Sequence, residues 1–435
     1  MIWSKYNFLY KSSKYSCNFL YNSRTNSFMS VSDALYEKLL TMQNGVFSEE
    51  SMDEDTLKNL IRAKVVVSET DDSNFIVQKK YLQYNRNFDK RILGLVIVPT
   101  YACNFKCPYC YESNLPVTII KEEVEENILK FIVPTEEKRN LQLCWHGGEP
   151  LIAFERIKSI LTKIDGNELI DMSYHGMVTN GYLLDDEKCS FLRDHNLTNI
   201  QITIDGLRNN HNQSRIHKMN LPTYDVIINN IERIFKIIPS CHVIIRVNIC
   251  NENKEDYPQL YEELSSRWGK QNYSIHREYV EKFSNCKVSC LNKQNKKDFI
   301  QQIARNQNIK TKLYPNLQLS ACTAAYANSF IVGPMGEMYK CWVDVGKKER
   351  EIGNVATTRK DLSIVAEYMV GTDMYNDEKC LQCKLFPVCN GGCNLKRLNF
   401  KQYGMPYDAC PMDADAVPFL LDLFYEQKLA QQTSA

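Results

Sequence analysis

The chain is 435 residues long, with 44% hydrophobic residues, 24% charged residues and a formal net charge of +1. That length supports two or three domains with their own cores. The even charge balance points away from a nucleic-acid groove or a membrane-surface binder. No apolar run approaches the ~20 residues that cross a bilayer, and Met1-Ile-Trp-Ser-Lys-Tyr-Asn lacks the apolar core of a signal peptide. A cytoplasmic location is therefore expected.

Residues 1–90 are rich in aromatic and polar residues. Short strands are predicted around Phe8–Tyr10, Cys17–Tyr21 and Phe28. Two helices follow. Ser30 or Ser32 caps the first, whose apolar stripe is Val31, Leu35, Leu39 and Met42. The second starts behind Asp53 and Asp55 with Leu57, Leu60 and Ile61 on one face. This order predicts a small α+β, winged-helix-like unit.

Over residues 91–310 strands and helices alternate. Strands are predicted at Ile92–Val98, Leu141–Trp145, Met172–Val178, Ile200–Ile204, Val243–Ile249 and Ser274–Val280. Helical patterns fill the gaps, for example Glu122–Phe131, Ile157–Ile164, Tyr224–Ile237 and Tyr257–Trp268. Six β/α repeats predict an α/β fold with a parallel sheet, whose chemistry sits at the carboxyl ends of the strands. Residues 311–415 are cysteine-dense and short of regular periodicity, which predicts a loop-rich, metal-stapled domain. In the last segment, 416–435, a closing helix over Val417–Lys428 is predicted to pack back on the sheet-and-helix domain through Phe419, Leu420, Leu423 and Phe424.

Seventeen cysteines in a reducing compartment argue for metal ligation rather than disulfides. Ten of them fall into two spaced groups. Cys103, Cys107 and Cys110 form C-x₃-C-x₂-C directly after the first strand of the alternating region. Three thiolates in one loop can hold three irons of a cubane and leave the fourth open. The alternative, structural zinc, needs four ligands, and no fourth lies nearby in the sequence.

The loop, with Tyr109 between its last two cysteines, resembles the signature of the radical SAM superfamily. The resemblance implies a partial (β/α)6 TIM-like barrel and a [4Fe–4S] cluster that binds S-adenosylmethionine. It also implies reductive cleavage of the sulfonium to a 5′-deoxyadenosyl radical that abstracts a substrate hydrogen. Trp145-His-Gly-Gly-Glu-Pro is similar to the family's glycine-rich motif, which makes Gly147, Gly148 and Glu149 candidate cofactor contacts. Thr203-Ile-Asp-Gly resembles the ribose-contacting strand end, with Thr203 and Asp205 as candidates. Arg215 is the cation assigned to the methionine carboxylate.

The second group reads Cys322-x₁₃-Gly336-x₄-Cys341, then Cys380-x₂-Cys383-x₅-Cys389-x₃-Cys393, then Cys410. It resembles the SPASM extension of peptide-modifying radical SAM enzymes, which carries two auxiliary [4Fe–4S] clusters. By motif position Cys380, Cys383, Cys389 and Cys410 hold one. Cys322, Cys341 and Cys393 hold the other, whose remaining iron is either open or filled by an upstream residue, with Cys286 and Cys290 as the available thiols. The segment 380–393 alone is equally compatible with a zinc knot.

The resemblance implies a peptide or protein substrate and an electron donor such as flavodoxin or ferredoxin. A maturase would install a thioether or carbon–carbon crosslink in a ribosomal precursor peptide, held by an N-terminal unit that loosely resembles a leader-recognition element. That unit can equally be a structural cap. An anaerobic sulfatase-maturing enzyme would instead oxidise a Cys or Ser to formylglycine. That family typically has an Asp after the cysteine matching Cys341, whereas Trp342 follows here. The nearest acid, Asp344, is the candidate catalytic base. A third reading, of another class, is a non-catalytic metal-cluster scaffold that docks a partner protein.

Overall fold

The computed structural model describes residues 1–45, 52–133, 138–282, 286–306, 309–318, 322–357, 360–405, 410 and 413–433. The chain forms two compact units. One comprises Met1–Phe88, Lys310–Ala327 and Ala366–Ala435, the other Asp89–Ile309 and Asn328–Val365.

In the first unit, β1 (Ile2–Trp3) precedes an antiparallel meander of β2 (Asn7–Lys11), β3 (Asn18–Asn22) and β4 (Ser27–Val31). Helices α1 (Asp33–Gln43) and α2 (Glu54–Arg62) follow, then β5 (Val66–Val67), which pairs with β1, and α3 (Asp71–Asn87). Ser32 caps α1 by accepting the Leu35 N–H, and Asp53 caps α2 by accepting that of Thr56.

Strand β3 is buried on both faces, so its sheet needs two covers. Leu20 faces the cluster of Leu39, Met42, Leu60 and Val66. Its neighbours Phe19 and Tyr21 point the other way. There Tyr21 packs with Phe8, Leu385, Val417 and Leu421, and the Phe19 ring lies 4.9 Å from that of Tyr425. The closing helix, Val417–Thr433, thus covers the meander, which corrects the expectation that it packs on the alternating domain. Helix α3 was also not anticipated. Phe75, Ile76 and Tyr84 on it pack against Tyr6, Tyr375 and Phe386.

The second unit contains the six predicted strands: β6 (Ile92–Ile97), β7 (Arg139–Trp145), β8 (Ile170–Thr179), β9 (Asn199–Thr203), β10 (His242–Ile249) and β11 (Tyr273–Tyr279). They lie side by side in chain order and all run parallel. Helices α4 (Glu122–Ile132), α5 (Phe154–Asp165), α6 (Asp186–Asp194), α7 (Arg208–Ser214), α8 (Tyr224–Ile237) and α9 (Tyr257–Trp268) alternate with them, and α10 (Lys293–Arg305) follows. This is the parallel sheet with alternating helices expected from the β/α repeats, and it fits the partial (β/α)6 barrel that the resemblance implies. Its core interleaves strand residues such as Leu141, Leu143, Ile200 and Ile245 with helix residues such as Ile128, Ile160, Ile231 and Leu260.

Three short strands extend the sheet beyond β6. Strand β12 (Ser329–Val332) joins parallel to β6, and β13 (Glu337–Tyr339) and β14 (Gly353–Asn354) add antiparallel. Gly94 permits the β6–β12 approach, since a Cβ there would sit 2.5 Å from Ser329 Oγ. Part of the cysteine-rich region is therefore strand, not loop. Among the described residues no helix is long and apolar enough to cross a membrane.

Candidate functional site

All six parallel strands end on one side, and the loops leaving those ends carry the candidate residues. The loop after β6 holds Cys103, Cys107 and Cys110. It is pinned at both flanks. Thr100 Oγ1 donates to Thr118 O at 2.7 Å and accepts from Ala102 N, while the Tyr101 hydroxyl donates to the buried carboxylate of Glu337 on β13. The middle pairs with the segment after α7: Lys106 N donates to Ile216 O, and Lys218 N donates to Asn104 O, both at 2.8 Å. Between those rungs Phe105 and His217 form an isolated antiparallel bridge.

Gly147 and Gly148 lie against the same loop. Gly147 has a φ of +126°, which favours glycine. A Cβ on Gly148 would meet the carbonyl oxygens of Ala102 and Tyr101 at 2.4 and 2.5 Å. Gly148 N donates to Thr100 O and Glu149 N to Ala102 O. The glycines thus let the turn after β7 lie flat on the cysteine loop. The buried Glu149 carboxylate accepts from Leu151 N, Thr179 Oγ1 and Asn180 N, tying the ends of β7 and β8 together. Asn180 Nδ2 in turn donates to Asn104 Oδ1 within the cysteine loop.

Opposite lie the other predicted contacts. Thr203 is buried at the end of β9. Asp205, just beyond it, accepts from the Tyr109 hydroxyl and from Asn248 N at 2.8 Å. Arg215 Nη1 donates to the Tyr109 hydroxyl at 3.2 Å, while its buried Nε has no hydrogen-bond partner. Burial alone would lower the pKa of this guanidinium, but Cys107, Tyr109 and Asp205 together raise it. Tyr109, Asp205, Arg215 and Cys107 therefore form one charged, water-poor cluster. Asn248, at the end of β10, escaped the sequence analysis, although its strand-end position marked it.

Burial pushes the Cys103 thiol up to about 12 and the Cys110 thiol up to about 11, and it raises Cys107. Arg215 opposes that rise at all three. Phe105 N donates to Cys103 Sγ at 3.4 Å. Among the described residues no three His, Cys, Asp or Glu side chains converge on a site for a single ion. Three thiols in one loop, a backbone N–H aimed at the Cys103 sulfur and the adjacent Arg215 cation suit a cluster whose irons each take one thiolate.

Beside this loop is a second group of buried side chains. Tyr111 Oη lies 3.0 Å from His146 Nε2, and Glu112 Oε1 lies 3.6 Å from the same nitrogen. Burial lowers His146 to about 4 and raises Glu112 to about 7. The His146 ring packs on Trp342 with centroids 4.6 Å apart. Asp344 is buried in the turn after Cys341, with Oδ1 3.4 Å from Lys347 Nζ.

In the first unit, four of the predicted auxiliary ligands act on one another. Burial raises the thiol pKa of Cys380, Cys383 and Cys389, and the Cys410 sulfur raises all three further. Leu385 N donates to Cys383 Sγ at 3.4 Å and Gly391 N to Cys389 Sγ at 3.3 Å. Cys322 Sγ accepts from Ala324 N in the same i+2 geometry as Cys103. Cys322 and Cys393 belong to this unit and are exposed, whereas Cys341 belongs to the other. The Cys286 and Cys290 sulfurs lie 3.7 Å apart, and Lys287 N donates to Pro108 O in the cysteine loop.

Residues 97–264 match the model of the Radical SAM superfamily. The cysteine-type anaerobic sulfatase-maturating enzyme of Clostridium perfringens is 25% identical over 340 residues, covering 70% of this chain and 90% of that protein. The solved structure of native anSMEcpe with bound AdoMet and Kp18Cys peptide superposes with a TM-score of 0.58 at 20% identity, over 79% of this chain and 98% of that one. Streptococcus suis SuiB bound to precursor peptide SuiA superposes with a TM-score of 0.51 at 16% identity, over 94% of this chain and 99% of that one.

Proposed function

We propose that this chain, a radical SAM enzyme, crosslinks a ribosomal precursor peptide, forming a thioether or carbon–carbon bond. Cys103, Cys107 and Cys110 would hold the cluster. When bound with S-adenosylmethionine, that cluster supplies one-electron cleavage of the sulfonium and so a carbon radical able to abstract hydrogen. The chain's own residues bind and shield. Arg215 offers a desolvated cation with an unmet donor to an anionic group such as a carboxylate. Tyr109 and Asp205 hold that guanidinium in place, and Asp205 with Asn248 joins the ends of β9 and β10. Burial of Cys107, Glu149 and Asp205 keeps water from the reacting centre. Cys380, Cys383, Cys389 and Cys410 would hold an auxiliary cluster.

The observation that carries a peptide substrate is a groove in the first unit. Among the described residues β4 pairs only with β3, which leaves its outer edge as a template for an added strand. That edge borders a cavity of about 520 Å³ against α2, with Met29, Leu35 and Leu60 as apolar walls and Asn59 and Arg62 as polar ones. A structural cap has no need of such a groove. The SuiB likeness, at 94% coverage, leaves too few residues outside it to omit the N-terminal segment. SuiB carries a precursor peptide in that structure, and the anSMEcpe structure carries a peptide too.

The sulfatase-maturing reading is favoured by the Clostridium perfringens relative. Against it stands Trp342 directly after Cys341, packed at a tilt against His146, with Asp344 turned to Lys347. The test is anaerobic reconstitution with dithionite and S-adenosylmethionine, then incubation with any short peptide encoded by a neighbouring open reading frame and with a Cys- or Ser-bearing sulfatase peptide. The crosslinking reading predicts 5′-deoxyadenosine and loss of a hydrogen pair from the neighbouring peptide. Formylglycine in the sulfatase peptide would replace it with the second reading. Absence of 5′-deoxyadenosine from fully loaded protein would favour the scaffold.

A further inference from the structure

We propose that Arg397, assisted by Lys79, sets the reduction potential of the cluster held by Cys380, Cys383, Cys389 and Cys410. This rests on the auxiliary-cluster reading above.

Arg397 lies on the helix Asn394–Tyr403 and is only 6% exposed. Each face of its guanidinium fork has a use. Nε donates to Asp377 Oδ2 at 3.2 Å, Nη1 to Thr372 O at 3.4 Å, and Nη2 to Cys380 Sγ at 2.9 Å. A neutral thiol is a weak acceptor, whereas a thiolate sulfur makes a charge-assisted bond. A buried guanidinium aimed at sulfur at this distance is therefore arranged for the thiolate form. Gly391 keeps the space open: a Cβ there would come 3.4 Å from Arg397 Nη1 and 3.1 Å from Met374 Cβ, and its φ is +97°.

A second cation arrives from α3. Lys79 Nζ donates to the carbonyl oxygens of Pro387 at 2.8 Å and Cys389 at 2.9 Å. The two cations so approach the cysteine set from separate segments, one at Cys380 and one at Cys389. Asp377 works against them. Its carboxylate lies 3.6 Å from Cys380 Sγ and accepts from Arg397 Nε, so it offsets part of the Arg397 charge while orienting the fork.

Reduction adds one negative charge to a cluster. Hydrogen bonds to its sulfurs and nearby cations stabilise the reduced form and raise the potential. Arg397 is a positioning residue in this sense: it acts through Cys380 and touches no substrate.

The experiment is an EPR-monitored redox titration of the reconstituted full-length enzyme, with iron counted for every variant. The signal that responds to added S-adenosylmethionine is the internal reference. Arg397→Gln should lower the midpoint of one auxiliary signal and leave the reference unchanged. Arg397→Lys, which keeps charge but loses the fork, should fall between that variant and the wild type. Lys79→Met should lower the same midpoint. If Arg397→Gln fails to load iron, the Lys variants at 397 and the Met variant at 79 decide the matter. Full iron with an unmoved midpoint in those variants overturns the proposal. A wild-type protein without iron at these four cysteines would instead overturn the auxiliary-cluster reading beneath it.

Discussion

Gly148→Ala tests whether the turn after β7 must lie flat on the cysteine loop. A Cβ at 148 would sit 2.4 Å from Ala102 O and 2.5 Å from Tyr101 O, whereas real Cβ contacts stay beyond 3.0 Å. Both obstacles are backbone, so one segment has to move by ~0.6 Å or more. Forcing a packed backbone apart costs about 1–3 kcal/mol. The same movement strains the bonds from Gly148 N to Thr100 O and from Glu149 N to Ala102 O, each worth about 0.5–1.5 kcal/mol. The expected loss is about 2–5 kcal/mol. Gly166→Ala is the control, with an ordinary φ of −74° and 3.4 Å of clearance to Thr162 O. Urea denaturation followed by tryptophan fluorescence in a Trp3→Phe background reads this unit, because the other three tryptophans, Trp145, Trp268 and Trp342, all belong to it. Iron content after reconstitution should fall in parallel, since Cys103 adjoins the displaced carbonyl. A Gly148→Ala protein within about 0.5 kcal/mol of the control and fully loaded with iron would refute the reasoning.

Arg215→Met should keep iron at the loop but weaken S-adenosylmethionine binding at least ~10-fold, measured by calorimetry on the unreduced protein. Wild-type affinity would remove Arg215 from the cofactor site. Arg62→Glu should weaken binding of the precursor peptide by a similar factor while 5′-deoxyadenosine formation without peptide stays unchanged; equal affinity would argue for the structural-cap role. His175 accepts from Trp145 Nε1 at 2.9 Å and lies 2.8 Å from His195 O, a pattern that requires the neutral ring. Burial accordingly lowers its pKa from 6.5 to about 4. Between those values the unfolded chain takes up a proton that the native chain refuses. Stability is therefore full above pH 6.5 and falls toward pH 4, by about 3 kcal/mol for this group. His175→Gln should flatten that slope, and an unchanged pH profile would count against it.

How legible these features were depended on what stabilises them. Strand β6 is an apolar run with Leu93, Leu95, Val96 and Ile97 buried, and β10 alternates buried Val243, Ile245 and Val247 with less buried neighbours, so local pattern marks both. Strands β12–β14 are two to four residues long and exist only through pairing with β6 and one another. Local pattern carries no such information. Helix α3 was hidden for a different reason. Val77, Tyr81 and Leu82 are exposed on it, while Asp72 and Asn87 are buried, so its apolar residues do not trace a core face. In the site, spacing marked the cysteine loop and the order of motifs marked Asp205 and Arg215. Tyr111, His146 and Trp342 meet only because the β6 and β7 loops and the turn after β13 share one end of the sheet.

The two-rung tie between the cysteine loop and the segment after α7 bears on how such a protein acquires metal. Lys106 to Ile216, Phe105 beside His217, and Lys218 to Asn104 fix the backbone on both sides of Phe105 using protein groups alone. A zinc finger spends its binding energy on folding the chain that surrounds the ion. Here the chain entropy of ordering, about 1–2 kcal/mol per residue, is met by the fold itself. Metal would then arrive at a loop whose backbone is already placed, and tightness of binding would reflect thiolate chemistry more than loop closure. The same tie makes the loop and Arg215, which directly precedes Ile216, move as one body.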